Sequence, residues 1–417
     1  MLRDFSLQEK SWILYDWANS AYSVIVTAAV LPIFFKTLTK EAGISPNMAD
    51  AYWGYSTSLA TLIIALMAPI LGAMGDYRGM KMRMFRVFLL IGVLSTAALA
   101  FTGQWFPILV LYIITVIGFS GANLFYDAFL VDVTTEDRMD RVSTYGFALG
   151  YIGGSTIPFV FSIALIMFGK EIGIPALLAT KISFLITAVW WAVFALPILK
   201  NVRQVYFLEP SPGLVRSSFQ RLYGTFRNIK NYGAIFLFLL AYFFYIDGVN
   251  TIIHMATVYG DSVGLGSSTL LLALLVTQIV AFPCAILYGI LAKKFGSSKM
   301  ILFGIIIYLI ICYLGYRMET ALDFWILALL VASSQGGLQA LSRSYFGKMV
   351  PKENANEFFG FYDIFGKFAA IMGPSLYGFF SQVTGESRYG VLSVMILFLI
   401  GGGIFLVTIS RKTLPTR

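Results

Sequence analysis

The chain predicts an all-α membrane protein of twelve transmembrane helices, arranged as two pseudo-symmetric six-helix bundles. Three observations predict it. Of its 417 residues, 58% are hydrophobic and 12% charged, with a mean hydropathy of +0.80. A soluble domain usually carries about 25% charged residues, and apolar runs of membrane-spanning length recur here from end to end. The second is a glycine-rich, charged turn, Gly72-Ala73-Met74-Gly75-Asp76-Tyr77-Arg78-Gly79-Met80-Lys81. It is echoed 217 positions later by Gly289-Ile290-Leu291-Ala292-Lys293-Lys294-Phe295-Gly296, so the chain reads as two matching halves. The third is the longest polar interval, 201–231, which falls after the sixth apolar run and divides the chain into six plus six.

The expected helices are 12–38, 51–75, 83–103, 106–131, 142–168, 177–200, 232–259, 268–292, 300–318, 322–346, 357–383 and 389–410. Each has about the 20 residues that cross the hydrocarbon, or slightly more with tilt. The first carries Asp16 and Asn19 in place of a small-residue cleavage site, so it is a membrane span and not a cleavable signal. Lys36 and Lys40 close it, and the charged turn at 72–81 separates the second from the third. Asp132, Glu136, Asp137 and Asp140 follow the fourth, and Lys170 follows the fifth. In the second half Lys293, Lys294 and Lys299 follow the eighth helix, Arg317 the ninth, Lys348 and Lys352 the tenth, and Arg388 the eleventh.

The domains expected are therefore a six-helix bundle over 1–200, a basic cytoplasmic linker over 201–231 and a second bundle over 232–417. Aromatic and aliphatic residues are interspersed with the linker's basic ones, which reads as a short amphipathic helix on the inner leaflet; a plain tether is the alternative. Of the 30 Lys and Arg, 23 fall in segments that share one side and 6 in segments on the other. That bias places both termini in the cytoplasm. The chain has no Asn-x-Ser/Thr acceptor, which favours a bacterial plasma membrane.

The net charge of +9 does not point to nucleic acid, because the basic residues sit in short loops between apolar runs. Cys284 and Cys312 lie inside apolar runs and read as small buried hydrophobes. A phosphate-binding loop, a metal-ligand cluster and a nucleophile elbow are all missing from the sequence, and it has one histidine. No enzyme, cofactor or metal is expected.

The turn at 72–81 has Gly72, Asp76, Arg78-Gly79 and Lys81 at the spacing of the major facilitator superfamily signature, and the chain resembles that superfamily. Tyr77 stands where the superfamily usually has a base, and Lys293 replaces the acid in the second copy. A narrower resemblance, to the autophagy-related vacuolar amino-acid effluxers and their bacterial relatives, is carried by Tyr15-Asp16-Trp17-Ala18-Asn19-Ser20-Ala21-Tyr22 and Tyr245-Ile246-Asp247-Gly248-Val249-Asn250-Thr251. Gly336-Gly337-Leu338-Gln339-Ala340-Leu341-Ser342-Arg343-Ser344, Glu357-Phe358-Phe359-Gly360-Phe361-Tyr362, Gly366-Lys367 and Gly373-Pro374 extend it. The resemblance implies the major facilitator fold, export of a small solute, and a central cavity lined by helices one, four, seven and ten.

Polar residues inside hydrocarbon are costly and so mark a wet cavity or a partner. The expected substrate-binding set is Asp247, Lys367, Asn250, Gln335, Gln339, Asn19, Tyr22, Asn123 and Tyr126, with Asp16, Asp127, Asp247 and His254 as ion-coupling candidates. At about 1.5 Å per residue, Asp16, Asp127 and Arg343 lie nearer the cytoplasmic face, and Asp247, Gln335, Gln339 and Lys367 near the midplane. Asp247 and Lys367 could then hold the ammonium and carboxylate of an amino acid, or pair with each other. His254 reads equally as a helix-packing residue. A cytoplasmic gate is expected from Asp76, Arg78, Lys81, Asp132, Asp140, Lys293, Lys294 and Arg343: with the inner mouth closed, the acidic loop after helix four meets Lys293, Lys294 and Lys299, and Asp76 caps helix eleven at 357–359, plain solvated loops being the alternative.

Gly146, Gly150, Gly153, Gly154, Gly366, Gly373 and Gly378 suit close helix packing, with bending at Pro158 and Pro374 the alternative. The aromatics are expected mostly toward lipid, Tyr22, Tyr126 and Tyr245 excepted. The function expected is a monomeric secondary transporter that exports a small polar solute, such as an amino acid, among membrane lipids, using protons or another coupling ion. The alternatives are a lipid flippase of the same fold and a transporter-like receptor.

Overall fold

The computed structural model describes residues 2–209, 213–227, 229–262, 267–369 and 371–412. Eleven helices among them are long and apolar enough to cross a membrane. Spans one to six are Leu7–Glu41, Pro46–Gly75, Met80–Phe101, Trp105–Val133, Met139–Ile172 and Ala176–Asn201. Spans seven to ten are Gly233–Ala256, Leu272–Phe295, Ser297–Tyr316 and Ala321–Gly347, and span twelve is Ser387–Ser410.

Helix eleven, expected as one element over 357–383, is two: Ala355–Phe368 and Met372–Thr384. Each half is too short to cross alone. Pro374, in the first turn of the second half, has no N–H for the carbonyl four residues back, and this weakens the ladder where it parts.

The first and fifth helices run on without a break but depart from α geometry. Each contains a π-helical run, Ser23–Ala29 and Gly150–Thr156, and Pro158 follows the second at the start of Ile157–Phe168. Glycines let these helices approach: a Cβ on Gly153 would stand 1.8 Å from the Trp17 ring. Close packing, one of the alternatives set out above, occurs in helix five at Gly153, and the π-helical run stands just before Pro158.

The described chain forms two compact units. One gathers Met1–Thr134, Leu149–Phe219 and Lys352–Gly360; the other gathers Thr135–Ala148, Gln220–Pro351 and Phe361–Arg417. These bounds differ from 1–200 and 232–417 in two segments: the start of helix five belongs to the second unit, and the start of helix eleven to the first.

Both cores are aromatic. In the first unit Trp12 stacks on Tyr126 at 4.5 Å, Tyr15 lies 4.7 Å from Tyr126, and Tyr22 stacks on Phe119 at 4.4 Å. In the second, Tyr308 stacks on Phe398 at 5.1 Å and Tyr242 on Tyr362 at 4.3 Å. Many aromatics expected toward lipid thus fill cores, where their large area and ring edges pack well. Leucines and valines such as Leu90, Leu94, Val193 and Leu196 are exposed instead.

The linker holds an extended strap and a short helix. Residues 202–209 run extended along the signature turn. The Arg78 amide donates to the Leu208 carbonyl at 3.0 Å, and the Leu208 amide to the Asp76 carbonyl at 2.8 Å. Leu214–Arg227 is helical, with Phe219 and Tyr223 exposed on one face, and a 3-10 turn over Ile229–Tyr232 follows it. Residues 210–212 and 228 lie outside the described residues.

Candidate functional site

In the first unit the signature turn builds a dense polar cluster. Gly79, at φ +74°, lets the chain enter helix three. Asp76 is fully buried and accepts hydrogen bonds from the Asn356 amide and side chain, each at 2.9 Å, and from the Glu357 amide at 3.4 Å. A carboxylate there satisfies donors that a helix leaves open at its N-terminus. Gly72 is what lets that helix come close, since its Cβ would fall 2.3 Å from the Asn356 carbonyl.

Lys81 and Asp132 form an ion pair at 2.5 Å with both side chains fully buried. Lys81 also donates to the Ala128 carbonyl, and Asp132 accepts from the Val205 and Tyr206 amides at 2.8 and 3.0 Å. Arg78 is exposed, paired with Glu209 at 3.1 Å and stacked over Phe207. On helices one and four, Asn19 donates to Asn123 at 2.8 Å, and Tyr22 shares a hydrogen bond with Thr115 at 2.7 Å. Asp16 is buried and Asp127 half-buried. Tyr22 and Tyr126 have their rings packed among aromatics, which leaves them little surface to offer a solute.

In the second unit Asp140 gathers Ser297 and Ser344, both at 2.6 Å, and Lys348 at 2.5 Å. Arg343 donates to Ser143 and lies over Phe147. The expected partners Lys293 and Lys294 are instead exposed at the end of helix eight. There they favour the negative end of the helix dipole, and the cation beside Asp140 comes from Lys348, which the sequence reading had not singled out.

The residues expected at the midplane differ most from expectation. Asp247 is fully buried, and both its oxygens accept from the Gly373 amide, at 3.0 and 2.9 Å, with Thr251 donating at 3.4 Å. Lys367 does not meet Asp247; it pairs with Asp363 one turn earlier on its own half-helix. So the carboxylate caps the second half of helix eleven, and the first half carries its own ion pair. Gly373 is obligatory, because a Cβ there would lie 1.9 Å from the Thr251 hydroxyl.

Thr251 also borders an apolar cavity of about 110 Å³, walled by Ile252, Ala273, Phe324 and Val394, with Gln335 at its edge. The Gln335 Nε2 is buried with no hydrogen-bond partner. Asn250 and Gln339 are half-buried, and His254 is exposed. Among the described residues no group of three His, Cys, Asp or Glu could hold a metal.

The break in helix eleven goes further than the bend at Pro374 set out as an alternative, and Thr251 stands in the stretch 245–251 without having been given a role. The strap at 202–209 was not anticipated, and nothing in the sequence marks it.

The sequence matches the family described as "Vacuole effluxer Atg22 like" over residues 8–414. The chain belongs to this family. It is 56% identical to the MFS-type transporter YxiO of Bacillus subtilis, over 96% of this chain and 94% of that protein. It is 21% identical to autophagy-related protein 22-1 of Aspergillus fumigatus, over 57% of this chain and 43% of the fungal protein's length. Among solved structures it resembles the transporter FucP in its outward conformation, with a TM-score of 0.73, 14% identity and coverage of 98% and 99% of the two chains. It also resembles the human organic anion transporter MFSD10, with a TM-score of 0.71, 12% identity and coverage of 95% and 98%. The fold is that of the major facilitator superfamily, and this member of the Atg22-like family is an integral membrane transporter for a small-molecule solute, not an enzyme.

Proposed function

We propose that this transporter exports a small polar solute by alternating access, and that amino acids with apolar side chains are its substrate class. The cap that Asp247 places on Gly373, at the break in helix eleven, carries the reading. Broken membrane helices present charged and dipolar ends at mid-depth, where substrates of secondary transporters bind. Asp247 can hold either the Gly373 amide or a substrate ammonium. Lys367 can hold either Asp363 or a substrate carboxylate. A zwitterion competing for both internal partners would free the second half of helix eleven as it binds, which couples occupancy to movement. The cavity beside Thr251 and Gln335 gives an apolar side chain a place.

Asn250, Gln339, Asn19 and Asn123 complete the proposed polar lining, and Asp16 and Asp127 the proposed coupling groups for protons or another ion. His254, being exposed, is a weaker candidate. The gating role proposed for the signature turn rests on its contact with the start of helix eleven. The protein is proposed to act as a monomer in a bacterial plasma membrane with both termini cytoplasmic.

Counterflow in proteoliposomes, with leucine, phenylalanine, glycine and lysine offered separately, tests this. Leucine or phenylalanine should exchange, and Asp247→Asn should lower the rate at least about tenfold, the equivalent of one lost charge-assisted hydrogen bond. Full-rate exchange in the variant, or exchange of none of the four, would overturn the reading.

A further inference from the structure

A second binding surface lies in the first unit, beside the signature turn and away from Asp247 and Lys367. The ends of helices three and six and the start of the strap enclose a cleft of about 400 Å³ whose lining includes Arg78, Arg86, Lys200 and Arg203. Arg78 is engaged by Glu209. Arg86, Lys200 and Arg203 are exposed and meet no carboxylate among the described residues. Three unbalanced cations around one cleft form a site for an anion.

The helices above the cleft say which anion. Helices three and six pack closely, so that a Cβ on Gly92 would reach the Trp191 ring at 2.4 Å. Continuing up helix three from Arg86, Val87, Leu90 and Leu94 are exposed at helical spacing; on helix six, Val189, Val193 and Leu196 lead down to Lys200. Arg86 and Lys200 thus each stand at the foot of an apolar, outward-facing stripe, and Arg203 joins them from the strap. A soluble anion has no use for those stripes. A phospholipid does, with its phosphate in the cleft and its acyl chains along the stripes.

We propose that this cleft is a specific site for an anionic phospholipid, which holds helix three, helix six and the strap together beside the signature turn. The strap enters the cleft through Val202, Arg203 and Gln204, and Gln204 also donates to the Gly75 carbonyl. A lipid bound here therefore bears on the turn that carries Asp76.

Native mass spectrometry of the full chain, released from mixed phosphatidylglycerol and phosphatidylethanolamine micelles, tests the assignment. The wild type should retain phosphatidylglycerol about tenfold over phosphatidylethanolamine, as expected for a few lysines and arginines at a lipid surface. The triple variant Arg86→Gln/Lys200→Gln/Arg203→Gln should lose that preference. Lys293→Gln/Lys294→Gln/Lys299→Gln removes equal charge elsewhere and should keep it. Neither inorganic phosphate nor glycerol 3-phosphate, at millimolar concentration, should displace the lipid. Equal loss in both triple variants would show diffuse attraction and overturn the site; displacement by either soluble phosphate would reassign it to a free anion. The exchanged residues are exposed, so both variants should unfold at the wild-type temperature, and retention can be compared directly.

Discussion

Gly373 is the residue on which the arrangement at the break depends. Its amide meets Asp247, and a methyl group in its place would overlap the Thr251 hydroxyl. Gly373→Ala should abolish counterflow, and Thr251→Ala in the same chain should recover part of it by removing the closest atom. Thermal unfolding followed alongside flux separates this local clash from general collapse. Lys81 makes a different case. Its buried pairing with Asp132 leaves an uncompensated carboxylate if the lysine goes. Lys81→Met should destabilise the protein by about 3–5 kcal/mol, the usual cost of breaking a buried pair from one side. Lys36→Met, which breaks an exposed pair with Asp50, should change the unfolding temperature little.

Helix eleven shows why elements were less legible than composition. Its apolar length across 357–383 reads as one span, and hydropathy has no term for a ladder broken by Pro374 and a carboxylate arriving from helix seven. Asp247 was conspicuous as an acid in hydrocarbon, but its partner is a backbone amide, which no sequence pattern names. The pairing of Lys367 with Asp363 was open to reading from the i,i+4 spacing. Pro374→Ala restores a donor to the helix, and should raise the unfolding temperature while slowing flux, because a continuous helix resists the movement proposed for it. Equal flux with a raised unfolding temperature would mean that the break serves packing alone. At the strap, the amides of Arg78 and Leu208 are held by hydrogen bonds between turn and linker. Their hydrogen exchange should be slow for a segment with no helical structure, and Gln204→Ala should speed it.

For the whole molecule, the two halves, the twelve apolar stretches and the signature turn were visible because hydrophobic length and charge placement are properties of sequence itself. Membership of the Atg22-like family follows from the match over residues 8–414. What stayed hidden is tertiary: which cation meets Asp140, where helix eleven parts, and which aromatics turn inward. Each depends on residues brought together from separate spans. The charged residues Asp247 and Lys367 stood out in the sequence, and their partners, the Gly373 amide and Asp363, did not.

The account turns on Asp247 exchanging the Gly373 amide for substrate. Hydrogen–deuterium exchange over 372–376, with and without the amino acid that gives the largest counterflow, tests that most directly. Saturating substrate should speed exchange at the start of the second half of helix eleven in the wild type, and leave Asp247→Asn, already uncapped, unchanged. If substrate slows exchange there, or leaves the wild type as it was, the carboxylate is a fixed structural cap and the substrate is held elsewhere.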